Sequence, residues 1–319
     1  MKTMAVVIPV WNGVALIGKC LASLVTQLQA GDEIVVADNA SRDGTPEQVE
    51  RDFPQAQVLR LGRNWGYGGG ANRGLAQTQA DAILILNHDV TFNSGCLAAL
   101  RRRLELTGPA IIGCKLLYPD GCTIQHAGGT IQMPRGEPDH YGYRQVDDGR
   151  WDQVRELDYV TGALFVIDRM VCNTIGMFDE DFFPLYYEEA DYCYRAREAG
   201  FPVIYEPAAV AIHHESQTYG QRSLTYHQAM SRGRLRFLLK HLSTEQFCDE
   251  FVPAEERWLT NLASPVYRRI QMQAYLHSML AVPHLHAQHM LIDSSLKSVE
   301  RLLGALGQLS HACIRNSML

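Results

Sequence analysis

The chain has 319 residues, of which 46% are hydrophobic and 20% are charged, a balance typical of a folded globular protein and unlike that of a disordered one. Its 29 basic and 35 acidic residues give a net charge of −6, so no overall basic field favours a nucleic-acid partner. No stretch reaches the roughly 18 apolar residues that a membrane-spanning helix needs, and the N-terminal apolar run is too short for a secretory signal. We therefore expect a cytoplasmic protein.

The first half of the chain alternates between short aliphatic runs and segments with helical spacing. The predicted strands are AVVIPV (5–10), EIVVAD (33–38), AQVLRL (56–61) and DAILILN (81–87). The predicted helices are GVALIGKCLASLVTQ (13–27), TPEQVERDF (45–53), GANRGLAQTQ (70–79) after a glycine-rich turn, and SGCLAALRRRLEL (94–106) with Ser94 as its cap. The strands are continuously hydrophobic, and this predicts burial on both faces, as in a parallel sheet flanked by helices.

The second half is less regular. Residues 115–156 are rich in glycine, proline and polar side chains, which predicts a hairpin and a mobile loop. Order returns at LDYVTGALFV (157–166), and the chain is mainly helical after about residue 220. There the spacing predicts one buried stripe, formed by Ile292, Leu296, Val299, Leu303 and Leu306.

Two small groups of residues add little to a functional assignment. The eight cysteines form no Cys-x-x-Cys pair, and this predicts reduced thiols instead of disulfides or a zinc site. The basic run at 101–103 is expected on the exposed face of its helix.

Polar side chains follow two of the predicted strands directly. Asp38 and Asn39 come after the second strand, and Asn87, His88 and Asp89 come after the fourth. In open α/β sheets ligands bind beyond the carboxyl ends of the strands, so these positions indicate a ligand site. For Asp38 two interpretations stay open: a residue of a tight turn, or an acceptor for an N–H group of a ligand such as a pyrimidine base.

The glycine-rich segment resembles a dinucleotide-binding loop only in part. Residues 66–71 satisfy the pattern G-x-G-x-x-A, but Arg63, Asn64 and Trp65 intervene before the first glycine of the pattern, and two βα units precede this one. We expect instead that glycines such as Gly66 and Gly70 let the backbone approach a phosphate or a sugar closely. Asn64 and Asn72 offer amide contacts to the same ligand.

Asp89 is the predicted metal ligand of the fourth strand's cluster. A single carboxylate together with substrate phosphates is a common way of holding Mg²⁺ or Mn²⁺. His88 is read as a neighbour of the metal site. Of the adjacent His213 and His214, which leave a strand on opposite faces, at most one can enter a site. The histidines of HLHAQH (284–289) have no catalytic spacing.

A second acidic group lies in the segment FDEDFFPLYYEEADYCYRAREAGF (178–201). Glu188 and Glu189 fall in the first turn of a predicted helix, where the helix dipole favours carboxylates, and Asp191 can pair with Arg195 four residues later. One interpretation is a charged helix start without catalytic meaning. The other is a partly desolvated general base, because aromatic pairs precede the acids.

Seven segments, taken in order, resemble family 2 inverting glycosyltransferases of the GT-A fold, in particular the bacterial rhamnosyltransferase-like branch. They are VVIPVWNG, IVVADNASRDGT, NWGYGGGANRG, LILNHDV, VTGALFVIDR, GMFDEDFFPLYYEEADYCYRAREAGF and HHESQT, and the match covers roughly residues 4–240. The resemblance implies an α/β fold of GT-A type, Rossmann-like, with a mostly parallel central sheet flanked by helices and a helical C-terminal extension. The implied domains are 1–240, divided into a nucleotide-sugar half (1–114) and an acceptor and catalytic half (115–240), and 241–319.

The resemblance also implies an activity. A hexosyltransferase of this kind moves a sugar, with inversion, from a UDP- or dTDP-sugar to a hydroxyl of a glycan or lipid-linked acceptor in bacterial surface polysaccharide synthesis. Glu189 matches the catalytic base, with Glu188 as a rival and Asp191 as a further acid of the motif. Asp89 and His213 match the residues that hold Mn²⁺ or Mg²⁺, although Asn87 replaces the first acid of the D-x-D-type motif. The donor-binding positions are Pro9, Asn12, Asp38, Asn39, Asn64, Gly66, Gly70, Asn72, Asn87 and His88.

Two other functions remain as alternatives. A sugar nucleotidyltransferase shares the sheet and the metal acid, but the segment PVWNGVAL after the first strand lacks the basic residue expected there. A non-catalytic carbohydrate-binding or scaffold protein would not need the acids. For the C-terminal helices, the alternatives are a homodimer interface, a cover for the acceptor site, and peripheral contact with the inner face of the cell membrane.

Overall fold

The computed structural model describes residues 2–214, 223–293 and 295–315. The chain divides into two compact units: the first comprises the described residues of 1–130 and 139–218, and the second those of 131–138 and 219–319. The predicted domain boundary at residue 240 falls at the end of a helix that this division assigns to the second unit. The functional assignment of the predicted halves stays a prediction.

The strands and helices occur in the following order. The strands are β1 Met4–Val10, β2 Glu33–Asp38, β3 Ala56–Arg60, β4 Ala82–Leu86, β5 Val90–Phe92, β6 Ile111–Leu117, β7 Ile124–His126, β8 Gly129–Gln132, β9 Glu137–His140, β10 Arg155–Glu156, β11 Leu164–Asp168 and β12 Val203–His213. The helices are α1 Ile17–Val25, α2 Thr45–Asp52, α3 Gly66–Leu75, α4 Cys96–Thr107, α5 Arg169–Ile175, α6 Glu188–Glu198, α7 Leu224–His241, α8 Val252–Asn261, α9 Pro265–Ala287 and α10 Leu296–Arg315. A short 3₁₀ helix spans Glu180–Phe182, and a π-helical turn spans Gln246–Phe251.

The first unit is built on one sheet with the strand order β10-β12-β6-β11-β4-β1-β2-β3; β5 pairs with β12, and β7 with β6. The strands β1 to β4 form the parallel part, since β1 pairs in parallel with β2 and β4, and β2 with β3. Antiparallel β11 joins this part to β6, and β6 pairs in parallel with β12. All seven residues of β1 are buried, as the continuous apolar run predicts.

The two faces of β1 are covered by different α-helices. On one face, Val6 and Ile8 belong to the same buried hydrophobic cluster as aliphatic side chains of α1 and α4. On the other face lies α3, whose glycines let its backbone come close to the strand: a Cβ on Gly70 would stand 3.2 Å from Pro9 Cβ, and one on Gly74 would clash with Val7. The glycine-rich segment predicted as a turn is therefore the start of a buried helix.

Two smaller predictions about the first unit are wrong. The cap position of α4 is Gly95, and Ser94 provides no capping hydrogen bond. In the basic run of the same helix, Arg101 is buried in an ion pair with Asp32, and Arg103 pairs with Glu206. The arginines thus bind carboxylates within the protein instead of sharing one exposed face.

The second unit is helical. An ion cluster lies in its core, where the buried carboxylate of Glu255 accepts hydrogen bonds from Arg135, Arg234 and Tyr275. The buried stripe of α10 is formed by Ser298, Leu302, Ala305, Leu306, Leu309, Ala312 and Cys313. The predicted stripe is therefore shifted, and its first members, Ile292 and Leu296, are exposed. In the described part of the chain no helix combines the length and the apolar character that crossing a bilayer requires.

Candidate active site

Three parallel strands end at the same edge of the sheet and bring the predicted polar residues there. In the β1–β2 pairing Val10 lies opposite Asp38, and β4 ends one residue before Asn87. Asp38 and Asp89 are both buried. Each has one carboxylate oxygen, Oδ1, that finds no hydrogen-bond partner among the described residues. A buried carboxylate oxygen without a donor is costly to the folded protein, so both oxygens are candidates for contact with a ligand.

His213 is brought to Asp89 by strand pairing. It ends β12 opposite Val90 of β5, and the backbone N–H of His214 donates to the carbonyl of Asp89 at 2.9 Å. This places Nε2 of His213 3.1 Å from Oδ1 of Asp89. Burial alone would raise the pKa of Asp89, but the neighbouring His213 and His88 outweigh it and lower the pKa below its usual value.

Gln125 determines how His213 presents its ring. Its Oε1 lies 2.7 Å from His213 Nδ1, and both side chains are buried. Because an amide oxygen only accepts, Nδ1 of His213 donates to Gln125. In the neutral ring Nε2 then directs a lone pair at Oδ1 of Asp89 and a cation would fit between the two atoms, whereas in the protonated ring Nε2 donates to Asp89. Gln125 lies on β7, in the region predicted only as a hairpin and loop.

The predicted metal site has few protein ligands. Among the residues that the structure describes, no group of three His, Cys, Asp or Glu side chains could hold a metal ion. Asp89 and His213 therefore offer two ligands, and Asn87 Nδ2 lies 3.5 Å from His213 Nε2. Such a set suits Mg²⁺ or Mn²⁺ only together with substrate phosphates and water. His88 is buried against Gly13, and burial lowers its pKa; this position agrees with its reading as a neighbour.

The second acidic group opens α6, as predicted. Tyr187, with φ of 76°, precedes the helix, and Glu188 and Glu189 are its first two residues. Burial raises the pKa of Glu188 well above its usual value, with a further contribution from Glu189, and Oε2 of Glu188 has no partner in the described structure. Burial also raises the pKa of Glu189, to about 7, although backbone N–H groups including that of Gly162 oppose it. Glu189 is thus able to exchange a proton near neutral pH.

Asp191 has a different environment. It is fully buried and pairs with Arg195 at 2.9 Å. Arg195 also donates to the carbonyls of Ile175 and Met177. This geometry ties Asp191 to the segment before α6, so its predicted catalytic role has no support from its contacts.

Tyr67 and the loop before β11 connect the two acidic groups. The buried hydroxyl of Tyr67 donates to the carbonyl of Gly162, and Asn87 N–H donates to the carbonyl of Ala163 at 2.8 Å. Burial raises the pKa of Tyr67, and so do the charges of Glu188, Glu189 and Asp89. The charges of both acidic groups, which lie about 100 residues apart in the sequence, therefore act on one side chain.

The amides predicted to contact the donor form hydrogen bonds within the protein, and their role towards a donor stays a prediction. Asn39 accepts from Trp65 N–H at 3.0 Å and donates to the carbonyl of Gly66, and Asn64 accepts from Gly66 N–H at 2.8 Å. Asn72 accepts from Phe178 N–H at 2.9 Å and donates to its carbonyl at 2.9 Å. These hydrogen bonds shape the loop before α3 and fasten α3 to the segment that leads to α6.

The remaining donor-binding candidates lie around the end of β1. A Cβ on Gly66 would stand 2.6 Å from the carbonyl oxygen of Pro184, so Gly66 permits close contact with protein backbone, and Gly70 permits close contact with the side chains of Pro9 and Asn39. Asn12, with φ of 53°, accepts from Arg42 N–H at 2.9 Å and so fixes the loop after Asp38. Their roles towards a ligand stay predictions. The motif HHESQT lies outside the described residues from position 215 onwards.

Comparisons with known proteins agree with this architecture. Residues 5–155 match the model of the family described as Glycosyl transferase family 2. The chain is 27% identical over 242 residues to N-acetylglucosaminyl-diphospho-decaprenol L-rhamnosyltransferase of Mycobacterium tuberculosis, covering 68% of this chain and 78% of that protein. It is 26% identical over 276 residues to the uncharacterized protein y4gI of Sinorhizobium fredii, of which it spans only 30%.

A solved structure extends the likeness to the whole chain. The mannosyltransferase PcManGT from Pyrobaculum calidifontis, in complex with GDP-Man and Mn²⁺, shares a TM-score of 0.55 at 16% identity, covering 98% of this chain and 86% of that one. The predicted fold, a GT-A-like α/β structure with C-terminal helices, is thereby confirmed.

Proposed function

We propose that the chain is a metal-dependent inverting glycosyltransferase, because residues 5–155 match the model of glycosyl transferase family 2. It transfers a sugar from a nucleoside-diphosphate sugar to a hydroxyl of a glycan or lipid-linked acceptor in surface polysaccharide synthesis. The observation that carries the proposal is that the loop at residues 162–163 contacts both acidic groups: Gly162 N–H is directed at the carboxylate of Glu189, and the carbonyl of Ala163 accepts from the N–H of Asn87, two residues before Asp89. An inverting transfer needs both, one on each side of the sugar.

On the donor side, Asp89 and His213 hold Mn²⁺ or Mg²⁺, and Gln125 keeps the histidine ring in the required tautomer. The ion, when bound, supplies positive charge that stabilises the leaving diphosphate. Asp38 accepts an N–H group of the nucleotide base through Oδ1, and the burial of this oxygen without a hydrogen-bond partner among the described residues supports this role. The other oxygen of Asp38 accepts from Ser41 N–H at 3.1 Å, which fixes the orientation of the carboxylate.

On the acceptor side, Glu189 is the base. The acceptor hydroxyl oxygen attacks the anomeric carbon, its proton passes to the carboxylate of Glu189, and the bond from the anomeric carbon to the diphosphate oxygen breaks on the opposite face. The configuration is therefore inverted. A positioned base contributes roughly 10²–10⁴-fold, and a pKa of about 7 suits a group that takes a proton at neutral pH.

The test is a screen of UDP-, dTDP- and GDP-sugars with and without Mn²⁺. One acceptor in the screen is a polyprenyl-diphosphate-linked sugar, since the mycobacterial relative is named after a compound of this type. We expect metal-dependent release of a nucleoside diphosphate and a product of inverted configuration. Release of pyrophosphate from a sugar phosphate and a nucleoside triphosphate would indicate a nucleotidyltransferase instead. A retained configuration would overturn the assignment of Glu189 as base.

A further inference from the structure

One face of the helical unit combines exposed apolar and basic side chains. On α7 it comprises Leu224, Gln228 and Arg232; on α9 it comprises Val266, Arg269, Gln273, Leu276, His277 and Leu280. We call this surface the α7–α9 face. Leu280 is 80% exposed, Leu224 58%, Val266 51% and Leu276 46%. Four large aliphatic side chains in water on one face indicate that something else covers them.

Hydrogen bonds between the two helices make this face one continuous surface. Gln228 Nε2 donates to Gln273 Oε1 at 3.4 Å, and Arg232 Nη2 lies 3.0 Å from His277 Nε2. Both partners advance by four residues, one helical turn, so the helices run parallel in register here. The exposed rows of α7 and α9 therefore stand side by side.

The charge on this face has one sign. Neither the 18 residues of α7 nor the 23 residues of α9 include an aspartate or a glutamate. Among the described residues, Arg232 and Arg269 form no ion pair with a carboxylate. Burial lowers the pKa of His277, and so do the charges of Arg232 and Arg236, as expected where positive charge is not compensated. This field stands out in a chain whose net charge is −6.

The chemistry of the face selects among possible occupants. A second copy of the chain docking through the same face in a two-fold interface would bring like charges together, which opposes association. An anionic bilayer surface matches both features of this face. Its negative headgroups can bind the arginines, and the acyl-chain region below them can accommodate the leucines. We propose that the α7–α9 face docks on an anionic lipid surface, with Arg232 and Arg269 at the headgroups and Leu276 and Leu280 inserted below them.

The experiment is co-sedimentation of the full chain with vesicles of phosphatidylcholine alone or with 30 mol% phosphatidylglycerol. The variants are Leu276→Glu/Leu280→Glu and Arg232→Glu/Arg269→Glu. The matched control is Arg102→Glu/Leu106→Glu on α4 of the sheet unit, where Leu106 is 71% exposed. No nucleotide sugar is present, so the outcome does not depend on the transferase activity.

We expect the unaltered chain and the α4 control to sediment with the anionic vesicles and not with the neutral ones. Each double variant should bind roughly tenfold more weakly or worse, and salt should weaken binding of the unaltered chain. Unchanged melting temperatures show that the substitutions, all at exposed positions, leave the fold intact. If Leu276→Glu/Leu280→Glu has a lower melting temperature, Leu276→Gln/Leu280→Gln replaces it in the experiment.

Three outcomes would overturn the proposal. They are absence of binding to anionic vesicles, equal loss of binding in the α4 control, and equal binding to neutral vesicles. A dimer in light scattering that becomes a monomer in Leu276→Glu/Leu280→Glu, without vesicle binding, would show that the face is a self-interface instead.

Discussion

Replacing Glu189 by Gln should abolish turnover and at the same time stabilise the protein at alkaline pH. Burial raises the pKa of Glu189 to about 7, so above this pH the folded protein holds an ionised carboxylate in a place that disfavours the charge. The unfolded chain has no such constraint. A glutamine of the same length avoids the cost, and it cannot take the proton of an acceptor hydroxyl.

The size and sign of the effect follow from the pKa difference. The pKa of Glu189 rises from 4.5 to about 7 on folding, and each unit corresponds to about 1.4 kcal/mol, so the shift is worth roughly 3 kcal/mol. Because the folded-state pKa is the higher one, stability is fully present below pH 4.5 and is lost as the pH rises through 7. Glu189→Gln should therefore unfold at higher urea concentration than the unaltered chain at pH 8, with little difference at pH 4.5.

The assay combines urea unfolding with initial rates across this pH range. For the unaltered chain, kcat should rise with a midpoint near pH 7 as Glu189 loses its proton; Glu189→Gln should lose 10²–10⁴-fold in kcat while still binding donor. The control is Glu188→Gln, which removes a neighbouring carboxyl whose pKa burial also raises. This control should gain stability at pH 8 but keep most of its turnover. If Glu189→Gln is no more stable at pH 8 than the unaltered chain, burial does not raise the pKa of Glu189 as argued. If turnover is lost in Glu188→Gln, Glu188 is the base.

Three further changes test other parts of the structure. Gln125→Leu removes the acceptor that orients His213, and it should weaken Mn²⁺ binding 10–100-fold in calorimetry; unchanged affinity would contradict that role. Gly74→Ala forces a methyl group against the buried side of β1 and should lower the free energy of unfolding, measured with urea, by about 1–3 kcal/mol. The control is Gly304→Ala, whose new methyl group meets nothing within 4 Å; it should raise the free energy of unfolding by up to about 1 kcal/mol. For Glu255, the charges of its arginine partners outweigh burial and lower the pKa to about 2. Above pH 4.5 the ionised carboxylate therefore contributes about 3 kcal/mol to the free energy of unfolding, and this contribution should be lost as the pH falls towards 2. In Glu255→Gln the free energy of unfolding should change less with pH over this acid range.

The sequence was sufficient for those parts of the molecule that depend on local patterns. Strands buried on both faces are continuously apolar, so β1, β2 and β4 could be predicted directly, and with them the edge where Asp38 and Asp89 lie. The first turn of α6 was predictable because helix starts favour acids. The aliphatic residues of α10 were also recognisable, but the predicted stripe began at Ile292, whereas the buried stripe begins six residues later, at Ser298.

What could not be predicted depends on pairing between distant segments. Gln125 reaches His213 only because β7 pairs with β6 and β6 with β12. In the sequence Tyr67 is an aromatic residue in a glycine-rich segment, with nothing to mark its role. Its hydroxyl donates a hydrogen bond to the carbonyl of Gly162, 95 positions further along the chain. Side chains that orient a ligand residue have no motif of their own, since many different donors and acceptors serve the purpose.

The glycine-rich helix α3 has a position that changes how the site is understood. On one side its missing side chains allow the backbone to lie against β1, and on the other Asn72 binds the backbone of Phe178 twice. Tyr67 N–H donates to the carbonyl of Pro184 at 2.9 Å, and the Tyr67 hydroxyl donates to the loop before β11. The helix thus connects the strand edge that carries the donor-side acids to the segment that delivers Glu189. These glycines permit close packing of α3 against protein atoms, and we expect them to help fix the distance between Asp89, the proposed metal ligand, and Glu189, the proposed base.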